Sequence, residues 1–197
     1  TSPLSEVATA TTKAEPTPPA GMAATTLLPR VVKIRWQANP ETNIAAYLIE
    51  GADAAAGPFQ PVATVRATEK ALVATDGNRP DGARRFYRIK AVDRDRIESA
   101  WSSVVEGATK PPPSAPGAPA FESRNGKVTV SWMPPGQSDI RKYRVWKKTE
   151  DRWSAIAAVD TTTWTMPQAK GGQKVTLAVS AIDQDSLEGP KSQEATY

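Results

Sequence analysis

Residues 31–36 read VVKIRW and residues 127–132 read KVTVSW. In the first, Val32, Ile34 and Trp36 fall on one face of an extended chain, and Lys33 and Arg35 on the other. In the second, Val128, Val130 and Trp132 take the apolar face, with Thr129 and Ser131 opposite. A period of two marks a half-buried β-strand. The two Trp residues stand 96 positions apart, and the same offset carries NIAAYLIE (residues 43–50) onto DIRKYRVW (residues 139–146). Each Trp therefore precedes its Tyr, Tyr47 or Tyr143, by eleven residues. Further on, GPFQPVATV (57–65) matches DRWSAIAAV (151–159) at an offset of 94, and KAVDRDRIES (90–99) matches SAIDQDSLEG (180–189) at 90. Offsets that shrink stepwise mean loops shortened between strands that are kept. The chain is an internal duplication.

Turn residues separate the strands: Asp76-Gly77, Asp81-Gly82, Asn125-Gly126, Pro134-Pro135-Gly136 and Gly171-Gly172. Short alternating strands with close turns and no helical stretch predict an all-β chain of two tandem antiparallel β-sandwiches. Residues 1–17 are built from Thr, Ala, Ser and Pro, with only Leu4 and Val7 as large aliphatics. Such a segment cannot bury enough apolar surface to form a core and is expected to be a flexible or extended tether, ordered only against a partner. Residues 110–117, within KPPPSAPGAPA, read as a Pro-rich, extended linker. The domains are then residues 18–109 and 118–197. Each carries its own Trp/Tyr core and is expected to fold by itself.

Composition excludes much chemistry. The 197 residues contain no Cys and no His. Cysteine nucleophiles, disulfides, thiolate or imidazole metal sites and Ser-His-Asp triads are thereby removed. The net charge of +4 is a mild field over this length, and no run of 18 apolar residues occurs. No Gly-rich phosphate loop and no nucleophile elbow is present, and neither a cofactor nor a catalytic site is expected.

The Trp closing the second strand (Trp36, Trp132), the Tyr of the third (Tyr47, Tyr143) and the segment FYRIKAVDRDRIESAWS (86–102) together resemble tandem fibronectin type III domains of the bacterial type. The resemblance covers the chain from about Pro18 onward and implies a fibronectin type III/Ig-like sandwich. It also implies that the tyrosine corner of this family is missing from the second copy, where Leu177 stands in the place of Tyr87. Such domains serve as spacers, adhesion modules or docking surfaces, often in exported bacterial proteins or beside polysaccharide-active catalytic domains. Fold by itself assigns none of these roles.

One surface feature stands out. In IRKYRVWKK (140–148), Tyr143 and Val145 point inward, which sets Lys142, Arg144, Trp146 and Lys148 on the outer face. This cationic stripe around an indole is the candidate partner-binding site; the alternative is an indole simply covered by Lys and Arg stems. Trp164 is expected to plug the core from the fifth strand. The loops DRDRIE (93–98) and DQDSLE (183–188) superficially suggest calcium, but their spacing is not an EF-hand's and Arg94 and Arg96 oppose a cation. They are expected to be hairpin turns whose Asp residues cap backbone N–H groups, with no metal. RPDGARR (79–85) reads as a solvated loop basic enough to meet an acidic partner.

These readings predict a non-catalytic structural or docking component of a bacterial cell-surface or periplasmic assembly. It is expected to bind protein partners through its sandwich surfaces and its tether. Polysaccharide is a second expected ligand, if the chain is an accessory module of a polysaccharide-active enzyme. No nucleic acid is expected, and membrane contact only through a lipid anchor upstream of Thr1, as in a lipoprotein.

Overall fold

The computed structural model of the protein describes residues 12–167 and 174–197. Residues 1–11 of the expected tether and the Gly171-Gly172 turn lie outside the described residues. Fourteen strands and no helix are present among the described residues. They form two compact domains: one ends at Thr109, the other runs from Lys110 to Tyr197 and takes in the short segment Pro80–Ala83.

Domain 1 holds β1 (Ala23–Ala24), β2 (Val32–Arg35), β3 (Ile44–Ala52), β4 (Gln60–Arg66), β5 (Val73–Asp76), β6 (Arg84–Asp93) and β7 (Val105–Ala108). They pair as a three-stranded sheet, β1-β2-β5, and a four-stranded sheet, β4-β3-β6-β7, all antiparallel. Domain 2 repeats the plan with β8 (Ala120–Arg124), β9 (Lys127–Ser131), β10 (Ile140–Thr149), β11 (Arg152–Val159), β12 (Thr163–Met166), β13 (Thr176–Asp183) and β14 (Ala195–Thr196). Its sheets are β12-β9-β8 and β11-β10-β13-β14. Three strands against four, in this order, is the fibronectin type III/Ig-like sandwich.

The alternation anticipated in the duplicated strands builds both cores. Val32, Ile34 and Trp36 meet Tyr47, Ile49, Tyr87, Ile89 and Ala91 in one; Val128, Val130 and Trp132 meet Tyr143, Val145, Leu177, Val179 and Ala181 in the other. The Trp–Tyr pairs are near-copies: ring centroids lie 5.4 Å apart at 64° in domain 1 and 5.5 Å apart at 65° in domain 2. Edge-on packing of this kind adds to the area that the rings bury. Trp164 packs half-buried against the second core. Asn125 and Gly126, with φ of 52° and 73°, make the two-residue hairpin between β8 and β9. Positive φ at both positions is what an Asn-Gly turn supplies.

Both domains begin earlier than composition suggests. Pro16 and Pro19 are buried, and so are Pro113 and Pro116, their counterparts at an offset of 97. The Thr17 N–H donates to Glu41 Oε1 at 2.7 Å, and the Ser114 hydroxyl donates to Gln137 Oε1 at 2.9 Å. The Gly117 N–H donates to the Met133 carbonyl at 2.9 Å. A Cβ at Gly189 would lie 2.1 Å from the Pro113 carbonyl oxygen, so only glycine lets this segment close on domain 2. Residues 12–17 and 110–117 are extended, as Pro-rich chain should be, and each is fastened to the sandwich that follows it.

Candidate functional site

The stripe of β10 lies on the outer face of its sheet, as its alternation requires. Opposite it on β13, Arg144 faces Ser180, Trp146 faces Ala178 and Lys148 faces Thr176. The indole is half-buried. Its Nε1–H donates to Ser180 Oγ at 2.8 Å, and the Ser180 hydroxyl donates to Glu188 at 2.6 Å. Glu188 also pairs with Arg144. The Arg144 guanidinium lies 5.5 Å from the indole centroid and the Lys191 ammonium 4.0 Å, both cation–π contacts. Lys148 pairs with Glu194 at 2.9 Å, and that carboxylate raises its pKa. Lys148 also lies 5.8 Å from the Trp153 ring. Lys142 stands apart from this network, lining a shallow recess with Arg141, Ala158 and Asp160. Arg144 and Trp146 are thus brought into one interlocked network, with Lys148 beside it on its own partners, Glu194 and Trp153. Ser180, from β13, and Lys191, from the segment between β13 and β14, complete it, and alternation along β10 gives no sign of either.

Domain 1 builds the same face from other residues. Arg88 lies between the rings of Phe59, at 4.3 Å, and Trp101, at 4.2 Å, and its guanidinium pairs with Glu50 at 2.6 Å. Lys90 stacks on Trp101 at 4.6 Å and pairs with Glu98. At the register position of Trp146 stands Glu50. The carboxylates of Glu50, Glu98, Glu188 and Glu194 on these faces are each paired with an Arg or Lys.

The acidic loops behave as backbone caps. Asp93 Oδ1 accepts N–H groups from Asp95 at 2.8 Å and Ile97 at 2.9 Å, and Asp183 Oδ1 accepts one from Leu187 at 2.8 Å. Asp139, Asp183 and Asp185 bring their carboxylates within 4.8 Å of one another. The Lys110 ammonium sits among all three, at 2.7, 2.8 and 2.5 Å. Hydrogen bonds to Asp139, Asp183 and Asp185 raise the Lys110 pKa and keep the ammonium charged. The cation at this site is therefore the protein's own lysine. Domain 1 repeats the arrangement with Lys13, 2.5 Å from Asp93 and paired with Asp95.

The Arg-rich loop is not the solvated segment that its composition suggests. Arg79 is half-buried and Arg85 is buried. Asp76 Oδ1 accepts the Arg79 Nε–H at 2.7 Å; its Oδ2 accepts the Tyr87 hydroxyl at 2.9 Å and the Arg85 Nε–H at 3.2 Å. Burial and then the Asp76 carboxylate push the Tyr87 phenol well above its ordinary pKa. In domain 2, Leu177 is fully buried without a hydroxyl to place.

No family model matches the chain, and no curated protein matches it. Among solved structures it is similar to the FN1–FN3 domains of chicken CNTN1, with 14% identity over 93% of this chain and 65% of that chain, at a TM-score of 0.45. The fold assignment rests on the strand order and register described above, and no function or partner is drawn from this likeness.

Proposed function

We propose that the protein is a non-catalytic docking module that holds a protein partner on the outer face of the β10–β13 sheet. The observation that supports this is the difference between the copies. One sandwich builds that face with Glu50 and the other with Trp146, so the fold itself does not require the indole. Trp and Arg fixed in place are the residues that dominate protein interfaces. An indole already oriented by Ser180 loses little freedom on binding. Lys142 and Lys148 at the margins steer an acidic partner. Polysaccharide is the weaker reading, because the ring face on which a sugar would stack already carries Lys191 at 4.0 Å.

An exported, bacterial setting, with a lipid anchor upstream of Thr1, belongs to the same proposal. It leans on the bacterial form of residues 86–102, and fractionation of the source cells tests it.

Affinity capture from the native envelope with the wild-type chain and with Trp146→Ala tests the docking face. The variant should lose its partner by about 2 kcal/mol or more, while amide exchange in β9 and β13 stays unchanged. Lys142→Ala and Lys148→Ala should act on the association rate and its salt dependence. Equal recovery by wild type and Trp146→Ala removes this face from consideration.

A further inference from the structure

A cavity of about 550 Å³ opens on domain 1 between the β3–β4 turn and the end of β5, away from the outer sheet face. Small and apolar residues wall it: Ala52, Ala54, Gly57, Pro58 and Pro61. Arg79 and Arg85 line its polar side. The Arg85 side chain is only 7% exposed, and Asp76 fixes its Nε. Its Nη1 donates to Asp53, whose side chain is 89% exposed. A Cβ at Gly51 would lie 3.0 Å from Arg85 Nη2, from the Tyr87 ring and from Val62, so the missing side chain gives the guanidinium its room.

The charges are unevenly secured. Asp76 is buried, and both its oxygens are engaged by Arg79, Arg85 and Tyr87. Asp53 is the second counter-charge; its own side chain is 89% exposed, so it can leave Arg85 for water at little desolvation cost, which Asp76 cannot. Without the Asp53 carboxylate, two guanidinium groups face one carboxylate and the cavity carries one positive charge. The duplicated sandwich does without the whole arrangement: Thr149, Met166, Val175 and Leu177 stand where domain 1 has Asp53, Asp76, Arg85 and Tyr87. A dehydrated, preoriented guanidinium with a displaceable carboxylate on it is the chemistry of carboxylate recognition.

We propose that this cavity is a carboxylate-binding site, in which an acidic side chain of a protein partner replaces Asp53 on Arg85 and lays its aliphatic stem against Pro58 and Pro61. The site is separate from the Trp146 face, and Trp146→Ala leaves it intact. The full chain, labelled with nitrogen-15, is titrated with N-acetylglutamic acid N′-methylamide against sodium chloride of matched ionic strength. Saturable shifts at the Arg85 Nε–H and the Gly51 and Gly57 amides are expected. Asp53→Ala, which leaves the buried charges untouched, should bind roughly fivefold more tightly than wild type, because the internal competitor is gone. Asp53→Asn keeps the turn's hydrogen-bonding side chain and should behave alike. N-acetylalanine, with a main-chain carboxylate, and inorganic phosphate serve as the other arms. Shifts in Asp53→Ala no larger than the salt control, or equal affinity in wild type and both variants, overturn the site. Tighter binding of N-acetylalanine overturns the side-chain source, and tighter binding of phosphate overturns the carboxylate class.

Discussion

At the end of the sandwich where β5 meets β6, domain 1 buries a charged cluster and domain 2 buries hydrocarbon. Asp76, Arg85 and Tyr87 occupy the register positions of Met166, Val175 and Leu177. Around this difference the two cores are nearly superposable in kind, down to the Trp–Tyr pair. A sandwich of this build therefore accommodates either filling, and the fold itself does not require the ionic one. Buried ion pairs are expensive to desolvate, and apolar replacements of similar volume are often as stable or more so. The same reasoning separates the outer faces. Domain 1 clamps a guanidinium between two rings, whereas domain 2 sets two cations on one indole, Arg144 from the same strand and Lys191 from beyond β13.

The largest test of this contrast is to break the ionic cluster from one side. Asp76→Ala leaves Arg85 only the exposed Asp53 as counter-charge and takes the acceptor from the Tyr87 hydroxyl, and should destabilise domain 1 by about 3 kcal/mol. Installing the partner copy's residues together, as Asp76→Met, Arg85→Val and Tyr87→Leu, should leave stability unchanged or raise it by about 1–4 kcal/mol. Amide exchange in β2 and β6 reads domain 1 alone. If the triple replacement is as damaging as the single one, the two fillings are not interchangeable and the comparison fails.

A smaller effect should distinguish the outer faces. Arg88→Ala removes the ion pair to Glu50 and contacts to two rings, and should lower domain 1 stability by about 1–2 kcal/mol. Arg144→Ala should do less, since Lys191 remains on the Trp146 ring. Urea unfolding of the two variants compares them directly.

The smallest effect concerns acid. Hydrogen bonds from the Thr17 N–H above all, and from Asn39, hold the Glu41 pKa at about 2 instead of its ordinary 4.5. A depressed carboxylate contributes fully above its unfolded pKa and loses that contribution as pH falls through its folded one. Between about pH 4.5 and about pH 2 the Thr17 amide should therefore lose protection relative to its intrinsic exchange rate. The Ser114–Gln137 clasp in domain 2 carries no titrating group and should hold over the same range. Parallel loss of both would mean that something other than Glu41 opens the first.

The strands, their faces and the duplicated core were legible because alternation and paired Trp–Tyr spacing report burial directly. Side chains at the outer face were placed correctly as well, Trp146 among them. What composition hid was long-range pairing. Lys191 reaches Trp146 from beyond β13, and Asp76 draws Arg79 and Arg85 out of a loop that reads as solvated. The signal for the early domain starts was present, as Thr-Lys-x-x-Pro-x-x-Pro at residues 12–19 and again at 109–116. Its low hydrophobicity made it look like tether and linker, although proline rings bury without needing large side chains around them.

Lys13 and Lys110 each fasten a Pro-rich lead segment to the loops of the sandwich that follows. Connector and module are consequently one heritable cassette, 97 residues from lysine to lysine. A gene duplication that copied this cassette would copy its joint along with it, and no new joint would have to evolve before the added module could work. A boundary drawn after the prolines severs each module from its own anchor; one drawn just before the lysine keeps them together.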